Sequence, residues 1–98
     1  MLFAVIFEDD AAHAGKRRDL LGYHLAYLES HASAVKAAGP LKLPGNGLAT
    51  GGLWLVETGG ADEVRRLCEN DPFWPTGLRK SVQIREWARV FSDGKRLI

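Results

Sequence analysis

The chain has one cysteine, Cys68, among its 98 residues. A lone thiol excludes an intrachain disulfide, and no Cys-x-x-Cys pair is there to hold a structural zinc. A surplus of positive charge is missing too: 13 Lys and Arg stand against 12 Asp and Glu, a formal net charge of +1. A nucleic-acid binder that works by neutralising phosphates needs a basic surplus on one face. The run Lys16–Arg17–Arg18 is too short to supply it. No apolar run approaches the roughly 20 residues of a membrane-crossing helix. The opening MLFAVIFEDD lacks the basic start and the apolar length of a secretory signal. Neither nucleic acid nor membrane is expected as a partner, and a cytoplasmic location is expected.

Nucleotide and metal signatures are likewise absent. Gly45–Asn46–Gly47 and Gly51–Gly52 fit neither the dinucleotide fingerprint nor the P-loop, and read as turn and bulge signals. His24 and His31 lie about 10 Å apart if helical, at 1.5 Å per residue, and no His-x-x-x-His spacing occurs. His13 falls in a polar loop. No metal and no cofactor is expected.

What remains is ordinary globular composition, 46% hydrophobic and 26% charged. One domain over residues 1–98 is expected, with a core over about 1–90 and a tail over 91–98. A chain this short buries roughly 60–70% of its unfolded surface, so its core is modest and oligomerisation helps it.

Leu2–Phe7 is an unbroken apolar run ended by acids, which suits a buried strand. From Lys16 to Ala38 the period changes: Leu21, His24, Leu25, Leu28, His31, Ala32 and Val35 mark one face of a long helix. Gly39–Pro40 is expected to stop it. Leu41–Leu43 is a candidate short strand before the turn cluster Pro44–Gly47. Gly51–Glu57 reads as the next strand, Asp62–Glu69 as a second helix, and Ser81–Phe91 as a final strand, with an irregular tail from Ser92.

This order predicts an α+β fold of ferredoxin-like βαββαβ type, an antiparallel sheet carrying two helices on one face. The first strand is apolar on both sides, as is Leu53–Val56. A sheet face of that kind marks an interface, so a homodimer packed sheet to sheet is expected.

The chemistry-bearing candidates are few. His24 sits among Leu21, Leu25 and Leu28, where a core or boundary histidine is the plain alternative to a reactive one. Cys68 reads as an inert buried thiol. In NDPFWPTGL (Asn70–Leu78), Asp71 can cap a short helix begun by Pro72 and closed by Gly77. A carboxylate there can also hold an imidazole, fixing its tautomer and raising the basicity of its free nitrogen. Phe73 and Trp74 would line an apolar cleft beside such a pair.

The opening strand, KR…HLAYL (Lys16–Leu28), AAGPL (Ala37–Leu41), NDPF (Asn70–Phe73) and IREW (Ile84–Trp87) together resemble the YciI-like family, or YCII-related domain. The resemblance implies a ferredoxin-like dimeric α/β barrel with a His and an Asp at its site, which map to His24 and Asp71. It implies acid–base chemistry on a small organic molecule, dehydrochlorination of an aromatic intermediate being one such activity. Many members carry an Arg three residues before the His. Here that position is Leu21; if that Arg binds an anionic substrate, this chain must use another cation, Arg18 or Arg79, or take a less charged ligand. Phe73, Trp74, Leu21 and Arg18 are then the expected substrate-binding residues. The leading expectation is a cofactor-independent lyase- or isomerase-like enzyme with a His–Asp dyad. The alternative is a non-catalytic dimeric module that binds a small molecule or docks on a partner.

Overall fold

In the computed structural model, which describes residues 1–98, the chain opens with strand β1, Leu2–Asp9. A single 3-10 turn, Ala11–His13, leads into the short helix α1, Gly15–Asp19, and then helix α2, Leu21–Ser30. Strands β2, Val35–Lys42, and β3, Ala49–Glu57, precede helix α3, Ala61–Glu69. A second 3-10 turn, Trp74–Thr76, leads to β4, Arg79–Glu86. A two-residue ladder, β5 Phe91–Ser92 with β6 Lys95–Arg96, ends the chain.

β1–β4 form one sheet in the order β2-β3-β1-β4, with every neighbouring pair antiparallel. This is an α+β arrangement consistent with the ferredoxin-like fold expected from the sequence. Alternation along β1 sends Phe3, Val5 and Phe7 to one face, where they meet Trp54 and Val56 of β3. Val64 and Cys68 of α3 close the same core, with Tyr27 and Leu28 of α2 packed against it. Burying side chains of this size contributes about 1.5–3 kcal/mol each. Ala4, Ile6, Leu53 and Leu55 alternate to the opposite face, which no helix covers.

Three boundaries differ from the sequence expectation. The long helix to Ala38 instead breaks at Leu20 and ends at Ser30. Ser30 Oγ and His31 Nδ1 both donate to the Tyr27 carbonyl, at 2.7 and 2.9 Å, satisfying an acceptor that the helix end leaves free. Val35–Ala38 then pair with β3, so Gly39–Pro40 lies inside a strand rather than at a helix stop. Pro40 is tolerated because β2 is an edge strand, where a missing N–H breaks no ladder. The final strand stops at Glu86, and the tail expected to be irregular folds back at Asp93–Gly94 (φ 53° and 76°). No helix of the chain is long and apolar enough to cross a membrane.

Candidate active site

His24 is the one buried residue of α2. Leu21 and Leu25 on the same side remain half-exposed, because they border a cleft instead of the core. Asp71 follows α3, in the turn that brings the chain back to the sheet. Its backbone carbonyl accepts from Trp74 N–H at 2.9 Å. Its side chain makes no capping bond to the 3-10 turn, contrary to the capping expectation. The carboxylate turns inward, where Oδ1 lies 2.7 Å from His24 Nδ1. Both groups are buried, the Asp71 side chain 2% exposed and the His24 side chain 9%. Gly77 closes the turn in the left-handed region, at φ 83°, as its position in the sequence suggests.

A carboxylate can only accept here, so Nδ1 carries the proton and donates it to Asp71. That tautomer leaves Nε2 with its lone pair free. Phe73, fully buried, stacks on the imidazole at 4.1 Å between ring centroids and 18° between planes, fixing the ring from behind. Trp54 lies 6.1 Å away on another side.

The cleft in front of His24 has about 410 Å³ of empty space including its mouth. The enclosed part is about 110 Å³, below the usual range of small-molecule sites, and suits only a compact occupant of about one ring. Leu21, Leu25 and Leu28 form its α2 wall, Ala38, Gly39 and Pro40 of β2 its rim, and Trp54, Arg17 and Arg79 join His24 as the remaining lining. Arg18 stands apart: its side chain is 87% exposed and 3.6 Å from Asp19, outside the cleft. Trp74 also lies outside the lining. It packs on the core with Arg65 over its ring at 5.3 Å.

Two charged groups went unrecognised in the sequence. Asp9, 6% exposed, pairs with Arg17 Nη2 and with Arg79 Nη1, the latter at 3.1 Å. Arg17 Nη2 also donates to the Gly51 carbonyl at 3.1 Å. The alternation Phe3, Val5, Phe7, Asp9 was the available signal, since it aims Asp9 at the helix-covered face. Arg17 gave no local sign, because the helix break at Leu20 changes its direction relative to His24.

Two nearby groups, Cys68 and Tyr27, stay in their neutral forms. Burial pushes the Cys68 thiol up to about 12, with the Asp71 charge adding to the effect. Burial and then Asp71 push Tyr27 up to about 12 also, and its hydroxyl donates to the Leu67 carbonyl at 2.6 Å. Neither is a nucleophile at neutral pH.

A buried His–Asp pair, its imidazole lining a small cleft, thus sits on the helix-covered side of a small α+β sheet. The chain belongs to the YCII-related domain family, whose family model matches residues 1–88. Among solved structures it is similar to the 5-chloro-2-hydroxyhydroquinone dehydrochlorinase (TftG) from Burkholderia phenoliruptrix AC1100, in complex with 2,5-dihydroxybenzoquinone. Identity is 33%, over 90% of this chain and 94% of that one, with a TM-score of 0.80. A search of curated proteins finds no significant match.

Proposed function

We propose that this protein is a small enzyme that transfers a proton to or from a compact organic substrate, with His24 as the acid–base group and Asp71 as its orienting partner. The observation that carries the reading is the buried 2.7 Å contact between His24 Nδ1 and Asp71, with His24 lining the cleft. In a lyase-like step, Nε2 accepts a proton from the substrate. The electron pair left behind forms a new π bond, and a leaving group departs with its own bonding pair. The imidazolium then returns its proton to the leaving group or to water. Asp71 stabilises the imidazolium while it lasts. Such a step changes no oxidation state of the protein and calls for no redox group. Phe73 holds the imidazole, and Leu21 bounds the ligand. The working form is a homodimer packed through the uncovered sheet face, closing two sheets into an α/β barrel.

The likeness to a dehydrochlorinase supports elimination from a hydroxylated ring as the reaction to assay first. The test is turnover of 5-chloro-2-hydroxyhydroquinone and related halogenated hydroquinones by the wild type, His24→Ala and Asp71→Asn. Loss of the acid–base group is expected to slow turnover by roughly 10²–10⁴-fold, with the circular dichroism spectrum unchanged in Asp71→Asn. Full activity in His24→Ala would end the proposal. Binding of these compounds without turnover in the wild type would favour the non-catalytic binding module.

A further inference from the structure

The cleft contains a guanidinium with more hydrogen-bond donors than the protein satisfies. Arg79, at the start of β4, has a side chain only 3% exposed. Its guanidinium carbon lies 4.1 Å from the Phe7 ring centroid and 5.2 Å from that of Phe73, the ring on which His24 stacks. It sits above Gly52, where a methyl group would come within 3.1 Å of Nη1. Arginine carries five N–H donors in a planar fork. The one hydrogen bond Arg79 makes runs from Nη1 to Asp9 Oδ1, at 3.1 Å. Nε is buried with no acceptor at all.

The local charges do not saturate it either. Asp9 is shared, because Arg17 Nη2 donates to its other oxygen, so one carboxylate faces two guanidinium groups. Asp71, the other carboxylate at the site, is engaged by His24. Burial works against the charged form of Arg79, and the Asp9 charge works for it. A guanidinium placed only to tie strand ends together would find further acceptors among backbone carbonyls. This one keeps spare donors at a cavity that it lines together with His24 and Arg17.

We propose that Arg79, with Arg17 beside it, is the anion-recognition group of the cleft, and that the ligand is a small planar molecule carrying an ionised oxygen: a carboxylate, phenolate or enolate. The proposal rests on the cleft being the reaction site described above. The fork of Arg79 donates charge-assisted hydrogen bonds to the oxyanion. The rest of the ring is left facing the imidazole. Negative charge that builds on that oxygen during proton transfer is stabilised where it forms.

The test uses benzoate as the anionic probe and benzamide as its neutral counterpart, titrated into the full chain by NMR. The wild type is expected to bind benzoate at least about tenfold more tightly than benzamide, with the largest shifts around the cleft. Arg79→Gln is expected to lose that preference and leave benzamide binding unchanged. Arg79→Lys keeps the charge opposite Asp9 but loses the planar fork, and is expected to weaken benzoate severalfold. If Arg79→Gln does not fold, Arg79→Lys decides. Equal affinity of the wild type for the two probes, no saturable benzoate binding, or unchanged benzoate affinity in the folded Arg79 variant would each overturn the proposal. His24→Ala is expected to retain the benzoate preference. Arg79-dependent binding alongside full activity in His24→Ala would sink the dyad and leave anion recognition standing; loss of activity with Arg79-independent binding would do the reverse.

Discussion

A carboxylate and an imidazole buried together satisfy one another in a way water no longer can. His24 and Asp71 lie 47 positions apart in the chain and meet at 2.7 Å. Removing one partner leaves the other uncompensated, which in buried pairs costs about 3–5 kcal/mol. Asp9 stands in the same position, facing two arginines. Asp9→Asn is therefore expected to lower stability by about 3 kcal/mol, read from the denaturation midpoint at an unchanged slope. Cys68 gives a pH prediction. Folding favours its neutral thiol, raising its pKa from 9.0 to about 12, so this contribution is intact below pH 9 and is lost as pH climbs towards 12. Tyr27, raised from 10.0 to about 12, acts in the same direction. Stability of the wild type is expected to fall across this range, and more gently in Cys68→Ala. Part of this site was legible: the residues alone left His24 open as a core histidine and Asp71 as a cap, and the family resemblance paired them. Asp9 and Arg17 were not, since their importance comes from strand register and from chain segments that meet only in three dimensions.

Between elements, the decisive feature is how closely β1 and β3 approach. A methyl group on Gly51 would lie 2.1 Å from the Phe7 carbonyl oxygen, and backbone cannot swing aside as a flexible side chain can. Gly51→Ala is expected to destabilise the sheet by about 2–3 kcal/mol, as forced overpacking does, and to disturb the Arg17 contact to the Gly51 carbonyl. The strand order followed readily from alternation and apolar runs. The element that was misplaced was β2, expected only as a short strand at Leu41–Leu43 with its start read as helix. It is an edge strand with almost every residue exposed in the single chain, so it carries no alternating pattern. Ala32 and Val35 continue the helical spacing of the segment before them, and Gly39–Pro40 is as compatible with an edge strand as with a helix end. The end of α2 is set instead by Ser30 and His31 folding back on Tyr27. The last hairpin was missed although Asp–Gly is the preferred pair for such a turn.

Across the whole protein, one sheet face carries the helices and the core, and the other presents Ala4, Ile6, Leu53 and Leu55 without cover. Ile6 is 38% exposed in the single chain although it lies on a central strand. Sheet-to-sheet pairing would remove that surface from water. Sedimentation is expected to find the wild type dimeric and Ile6→Lys largely monomeric; a monomeric wild type would exclude the barrel. The cleft lies on the helix side, but its rim residues Ala38, Gly39 and Pro40 also border Leu53 and Leu55 of the uncovered face. In the proposed reading, what ties fold to function is the His24 imidazole that α2 places in the lining of that cleft. Turnover measured side by side for the wild type and His24→Ala on halogenated hydroquinones tests it most directly. A loss of about 10²-fold or more in the variant is expected. Equal rates for the two proteins would mean that His24 moves no proton.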